Sequence, residues 1–138
     1  MIVSFVPVIA AMGGNVGLQS AILIIRGLAT GRIEVTDVRK LFFREAWIGL
    51  LLGLACGLLM ILVSWLWHGH EFLVMVVGAS LIITFVVSTS VATITPLLLK
   101  RVGVDPAVAA GPFVTTVNDI TGITIYLTLA TALLDYIK

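Results

Sequence analysis

The chain has 138 residues, of which 60% are hydrophobic and 11% are charged, and its formal net charge is +1. Soluble domains carry about 25% charged residues, so this composition indicates a membrane protein. The small net charge gives no electrostatic support for nucleic-acid binding, and the single Cys56 excludes an intrachain disulfide.

Four long runs with few or no charges predict four transmembrane helices, at about residues 2–28, 46–67, 72–99 and 106–136. Each run exceeds the roughly 20 apolar residues that cross a bilayer core. In lipid, a single chain with these connections satisfies its backbone hydrogen bonds only by forming helices. We therefore predict one all-α integral membrane domain over residues 1–138, embedded in the lipid bilayer.

The distribution of lysine and arginine predicts the orientation of the chain. Almost all of the cations fall in residues 26–45 and at residues 100–101. By the positive-inside rule, loops 29–45 and 100–105 lie in the cytosol and both termini lie outside. Within loop 29–45, Thr36 is placed to cap a short interfacial helix that starts at Asp37. The outer turn at residues 68–71, His-Gly-His-Glu, is read as an ordinary polar turn, with a Zn²⁺ site as its alternative.

The first run carries three glycines around two amide side chains: Gly13, Gly14, Asn15, Gly17 and Gln19. Asn15 and Gln19 are one helical turn apart and share a face, while the glycines permit close backbone approach. Amide and carbonyl oxygens in this arrangement suit a hydrated hard cation. The same residues would also form a small-residue packing face with interhelical hydrogen bonds, and the pattern alone favours neither interpretation.

The second and third runs carry patterns that are typical of helix packing. Glycines recur every four residues in the second run, at Gly49, Gly53 and Gly57, and predict a groove for close helix contact. Hydroxyl side chains recur along roughly one side of the third run, at Ser80, Thr84, Ser88 and Thr95. They would line a wet path or, more commonly at this spacing, bond to neighbouring helices and to their own helix.

The last run places one carboxylate, Asp119, near its middle. At 1.5 Å per residue it lies about 20 Å from Pro106, near the centre of a bilayer core about 30 Å thick. An ionisable group there costs roughly 2.5–3.5 kcal/mol unless it faces water, an ion or a partner, which favours a cation site over a structural acid. One carboxylate among neutral oxygens suits Mg²⁺ held through its water shell. The neighbours predicted to share its face or flank it are Thr115, Thr116, Asn118, Gly122 and Tyr126.

Two segments of the chain resemble a known family. They read PVIAAMGGNVGLQSAILIIRGLATG and DPAVAAGPFVTTVNDITGITIYL, and they resemble the second and fifth transmembrane helices of the MgtE family of magnesium channels. The resemblance extends over nearly the whole chain. It implies a homodimer whose pore lies between the subunits and is lined by these two helices. The family's intramembrane aspartate maps onto Asp119, and its Gly-Gly-Asn segment maps onto Gly13, Gly14 and Asn15.

The chain also departs from the family pattern as the resemblance defines it. The family's transmembrane domain has five helices, and this chain shows four, without the first family helix. The cytosolic N-domain and the paired CBS domains are absent from these residues, so magnesium-sensing gating is not predicted for them. Gly111 stands where some relatives carry a polar residue, which puts an ion site at the cytosolic mouth in doubt.

Residues and resemblance together predict a divalent-cation transporter of the prokaryotic inner or plasma membrane, with Mg²⁺ as the transported ion, no organic cofactor and no enzymatic activity. The expected assembly is a dimeric bundle of four helices per chain around a central pore. Asp119 is the predicted metal site, and the predicted pore-lining residues are Gly13, Gly14, Asn15, Gln19, Thr115, Thr116 and Gly122.

Three alternatives remain at this point. A carrier coupled to protons or Na⁺ fits the same features, because carriers also use glycine-interrupted helices at mid-membrane. An intramembrane aspartyl hydrolase needs a second carboxylate about 3 Å from the first, and the chain offers no second membrane acid. A structural scaffold would need no function for Asp119.

Overall fold

The computed structural model describes residues 2–68 and 71–133 of the chain. After a short 3₁₀ turn at Ile2–Phe5, four long helices follow: α1 at Val6–Ala29, α2 at Val38–His68, α3 at Glu71–Arg101 and α4 at Pro106–Ala132. Each of the four is long and apolar enough to cross a membrane, which confirms the predicted all-α membrane fold. The side chains of the turn at residues 68–71, and the predicted continuation of the fourth helix to residue 136, lie outside the described residues.

Helices α1, α3 and α4 pack against one another, and α2 packs chiefly against α3. The core of the three-helix group includes Ile9, Leu81, Phe85 and Tyr126, each at most 1% exposed. Lipid tails are as apolar as these side chains, so close packing rather than escape from water holds the helices together. The group therefore depends on small residues at its contacts.

The glycine groove predicted on α2 is confirmed as a packing surface against α3. A Cβ atom built on Gly53 would lie 2.8 Å from the Cα of Ile82, and one built on Gly57 would lie 3.1 Å from the carbonyl oxygen of Gly78. Side chains at these positions would push the two backbones apart. The rest of α2 is largely exposed, with Leu58 and Leu66 more than 60% accessible, as befits a helix that faces lipid.

The start of α2 differs from the sequence prediction. The helix begins at Val38 rather than near residue 46, so the second half of the predicted loop 29–45 is helical and continuous with the span. A 3₁₀ turn at Val35–Asp37 leads into α2, and this turn is capped by Glu34 and Asp37, which bond reciprocally to each other's backbone, and not by Thr36. The physical reason is that Leu41 and Glu45 are buried on the same face as Gly49, so helical packing continues past the charged residues.

The turn before α4 is formed around Gly103 and the first residues of the helix. Gly103 adopts a φ of 79°, which a residue without Cβ tolerates best. Asp105 caps the helix by accepting a 2.9 Å hydrogen bond from the backbone N–H of Ala107, and Pro106 occupies the first turn, where its missing N–H costs nothing. This turn sets where α4 begins and hence the depth of every residue along it.

Candidate functional site

Asp119 lies at the midpoint of α4 and is exposed on the surface of the single chain. It stands about 20 Å from either end of the helix at 1.5 Å per residue. Within the described part of the chain the salt bridge is formed by Arg44 and Glu45, and no cation pairs with Asp119. The carboxylate is therefore directed away from the core, and none of the residues in ranges 2–68 and 71–133 compensates its charge.

The structure brings Asp119 against Gly14 of α1. A Cβ built on Gly14 would lie 3.0 Å from Oδ1 of Asp119, and Gly14 itself is buried. A glycine at this point allows the carboxylate to rest directly over the α1 backbone. Two residues predicted from separate motifs thus meet at one place, where α1 and α4 touch.

Gly13, although adjacent in sequence, faces another helix. Its Cβ would lie 2.7 Å from Cγ2 of Thr84 and 3.3 Å from Oγ of Ser88, both on α3. Successive residues of a helix point about 100° apart, so Gly13 and Gly14 serve two different contacts. Gly14 belongs to the surroundings of Asp119, and Gly13 belongs to the contact between α1 and α3.

Asn15 and Gln19 are exposed on α1, one turn apart. Their amides lie at the surface of the chain instead of being buried between its helices. They are available to whatever covers this surface, and each offers one oxygen acceptor and two N–H donors.

The two threonines before Asp119 both donate their hydroxyl protons to their own helix. Thr115 Oγ1 donates to the carbonyl oxygens of Gly111 and Pro112, each at 3.0 Å, and Thr116 Oγ1 donates to that of Pro112 at 2.8 Å. A hydroxyl has one proton and two lone pairs, so both oxygens remain as acceptors. Acceptors of this kind suit the water molecules around a cation, which point their protons outward.

Gly122 lies on the buried face of α4 instead of the exposed face that carries Asp119. Its Cβ would meet Cγ2 of Thr84 at 3.1 Å and Cγ2 of Ile9 at 3.9 Å. Tyr126, grouped with Asp119 by spacing, is likewise fully buried. The buried face follows steps of four residues along the whole helix: Ala110, Val114, Asn118, Gly122, Tyr126 and Ala130.

A buried polar cluster lies directly behind Asp119, where α1, α3 and α4 meet; we call it the Asn118 cluster. It consists of Thr84, Ser88 and Asn118, each 0% exposed. Four of its atoms lack a hydrogen-bond partner: Thr84 Oγ1, Ser88 Oγ, Asn118 Nδ2 and Asn118 Oδ1. The Asn118 amide fills the space that a side chain at Gly17 would occupy. In the sequence, Thr84 and Ser88 belong to one pattern and Asn118 to another, and no spacing rule joins residues on different helices.

The other two hydroxyls of the α3 pattern behave differently. Ser80 donates to the carbonyl oxygen of Val76 at 2.7 Å, and Thr95 donates to that of Val91 at 2.8 Å. These two bond to their own helix, as hydroxyls in apolar helices commonly do. The expected row of hydroxyls therefore divides into two self-bonded residues and the two members of the Asn118 cluster.

The described residues offer no ready-made cage for a bare metal ion. No three His, Cys, Asp or Glu side chains among them lie close enough to hold one. Asp119 contributes one carboxylate, and its neighbours contribute neutral oxygens. Such a set can hold an ion that keeps its water shell, or an ion shared with a second copy of the chain.

Fold and site together define a multi-span helical membrane protein with a carboxylate at mid-depth. Residues 6–129 match the MgtE family, described as a divalent cation transporter, and the chain belongs to this family. The predicted family resemblance is confirmed. The family is one of transporters and not of enzymes, as expected.

Three similar proteins are each described as a magnesium transporter MgtE. The chain is 45% identical to the Thermus thermophilus protein over 131 residues, 40% identical to that of Bacillus subtilis over 128 residues, and 32% identical to that of Enterococcus faecalis over 132 residues. These matches cover 95%, 93% and 96% of the chain but only 29%, 28% and 29% of the relatives. The chain thus spans under a third of their length.

Proposed function

We propose that this chain conducts divalent cations, with Mg²⁺ as its principal ion, through a pore formed with a second copy of itself. The observation that carries the proposal is the position of Asp119, which is mid-depth, exposed and without an ion-pair partner among the described residues. A charge facing lipid at that depth costs roughly 2.5–3.5 kcal/mol or more. A water-filled path between two chains removes this cost, because it keeps the carboxylate hydrated, and it lets the carboxylate attract a cation.

The chemistry around Asp119 suits an ion that stays hydrated. Mg²⁺ gives up its waters reluctantly, and one carboxylate per chain does not replace them. Asp119 holds the ion through its water shell, and the hydroxyl oxygens of Thr115 and Thr116 accept hydrogen bonds from those waters. Gly14 has no side chain, so it leaves space beside the carboxylate at the surface of α1. The amides of Asn15 and Gln19 line the same path.

Two copies of Asp119 explain why the site prefers a doubly charged ion. Two carboxylates that face one another repel unless a cation lies between them, and a divalent ion neutralises both. Gly13 and Gly122 support the path from behind, since both contact Thr84 on α3. The basic helix ends lie on the cytosolic side, in accord with the positive-inside rule.

The test is Mg²⁺ uptake into proteoliposomes under a membrane potential, without a proton or Na⁺ gradient. Asp119→Asn should lower uptake to the background of empty vesicles, because it removes the charge while keeping the shape. Asp105→Asn is the matched control, since it makes the same chemical change at the exposed helix cap, where asparagine caps equally well. It should conduct like the wild type.

Each other outcome has a defined meaning. Uptake that persists in Asp119→Asn moves the ion site elsewhere and refutes the proposal. Wild-type uptake that appears only when a proton or Na⁺ gradient is added identifies a coupled carrier. A purified protein that is strictly monomeric while it conducts refutes the shared pore.

A further inference from the structure

A second site lies at the end of the bundle where α1 finishes and α2 starts; we call it the arginine pocket. Its volume is about 480 Å³, and three of the residues that line it are Arg26, Arg32 and Arg44. A smaller cavity of about 130 Å³ adjoins it, shares Arg32 and Arg44, and adds the charged residues Asp37 and Lys40. Arg26 lies about 18 Å beyond Gly14 along α1 at 1.5 Å per residue, so this pocket is separate from the site at Asp119.

The charge of the arginine pocket is only partly balanced. Arg44 donates from Nε and a terminal nitrogen to Oε1 of Glu45, at 3.2 and 2.9 Å, and Glu45 is 1% exposed. Neither Arg26 nor Arg32 has a carboxylate within ion-pair distance among the described residues. The nearby Asp37 carboxylate is engaged in capping, because it accepts from the backbone N–H of Glu34.

These charges have the geometry of an anion site. The buried Glu45 holds the Arg44 guanidinium in one orientation, while the two other guanidinium groups remain free to bind. Guanidinium groups present paired N–H donors that match phosphate oxygens. The positive-inside rule accounts for the presence of these cations on this side of the chain, and their convergence on one cavity in addition suits an anionic ligand.

The pocket also borders surface that faces lipid. Leu23, which lines it, is 58% exposed, and Phe43 and Trp47, which flank Arg44 on α2, are each 62% exposed. An exposed tryptophan beside basic residues is typical of the level of the lipid headgroups. The ligand that matches both parts has an anionic head for the arginines and an apolar chain for this surface.

We propose that the arginine pocket binds the phosphate headgroup of an anionic phospholipid. Arg26 and Arg32 contact the phosphate oxygens, Arg44 is positioned for the same contact by Glu45, and Leu23 contacts the acyl chain. Basic pockets between transmembrane helices are a known physical solution for holding anionic headgroups. The bound lipid would tie the end of α1 to the start of α2.

The experiment measures retention of phosphatidylglycerol by the purified chain in detergent, using native mass spectrometry. It is run at about 0.5 M salt, where the Debye length is roughly 4 Å and diffuse attraction to any basic surface is screened. Arg26→Gln and Arg32→Gln should each weaken binding by about tenfold or more, since a hydrogen bond to a charged group contributes at least that factor. Arg39→Gln is the matched control, because Arg39 is exposed in the same segment but lines neither cavity.

Arg44→Gln is avoided as the first variant because it would leave Glu45 buried without its partner. Equal weakening in Arg32→Gln and Arg39→Gln would overturn the proposal. So would equal retention of phosphatidylglycerol and zwitterionic phosphatidylcholine by the wild type, a measurement that needs no variant. Displacement of the lipid by millimolar inorganic phosphate would assign the pocket to a free anion instead. None of these readouts uses transport, so they stand apart from the test at Asp119.

Discussion

The close contact between Gly17 and Asn118 makes Gly17→Ala the sharpest test of how α1 and α4 are held together. The new methyl group would overlap the amide nitrogen of Asn118 and would lie 3.1 Å from its Cγ and 3.4 Å from the carbonyl oxygen of Ser88. Asn118 is 0% exposed, so its side chain cannot turn out to the surface without a shift of its neighbours. Either the amide is displaced or the two helices separate.

The expected magnitude is the difference between two effects. Alanine improves helix propensity over glycine by about 1 kcal/mol. Overpacking a tight contact costs about 1–3 kcal/mol, and here the obstructing group is a buried amide. This obstruction places the overpacking cost in the upper part of its range, at about 2–3 kcal/mol, so Gly17→Ala should lower the free energy of unfolding by about 1–2 kcal/mol.

The assay is reversible unfolding in mixed detergent micelles, followed by circular dichroism. Gly111→Ala is the matched control, since its nearest contact would be Leu18 Cδ1 at an ordinary 3.7 Å. That variant should gain the higher helix propensity of alanine without a steric cost, so it should be at least as stable as the wild type. The double variant with Asn118→Ala removes the obstruction, so it should recover about 1 kcal/mol or more relative to the sum of the single changes. Additive single effects, or a Gly17→Ala variant of undiminished stability, would refute the contact.

Three further outcomes follow from other contacts. Gly14→Ala should lower Mg²⁺ uptake by about tenfold with little change in stability, because its Cβ would lie 3.0 Å from Oδ1 of Asp119; wild-type uptake would contradict this. Gly53→Ala should destabilise the chain by about 1–2 kcal/mol in the unfolding assay. The reason is that its Cβ would lie 2.8 Å from the Cα of Ile82, a backbone atom that cannot move away by a side-chain rotation. Unchanged stability would exclude the packed groove. Gly103→Ala should cost about 1 kcal/mol in the same assay, because its φ of 79° disfavours a Cβ; a neutral result would mean that the turn has another conformation.

The span pattern was predictable because lipid imposes a simple rule. Every backbone polar group in the hydrocarbon core must be bonded within the chain, so long apolar runs become helices. The start of α2 was not predictable by the same reasoning. Charges mark where a chain leaves the membrane, but a helix continues for as long as its packing face does. Leu41 and Glu45, one turn apart on the buried face, carry that helix beyond the charge boundary.

The meeting of Gly14 with Asp119 was only half predictable. Each residue was prominent within its own motif, Gly14 through its glycine pair and Asp119 through its isolated charge. Sequence spacing orders residues around one helix, but it does not say which neighbour each face meets. That information depends on the rotation of each helix. For α4, steps of three and four residues predict that Gly122 shares the face of Asp119, whereas the structure buries Gly122.

The order of Asn118 and Asp119 accounts for that rotation. Adjacent residues point about 100° apart, so when one faces the core the other must leave it. If the carboxylate were buried among Thr84 and Ser88, no cation of the described chain would balance its charge. Burial of an unpaired charge costs far more free energy than burial of a neutral amide. The amide is therefore the residue that enters the bundle. The carboxylate turns outward at mid-membrane, where only water, an ion or a second chain can receive it.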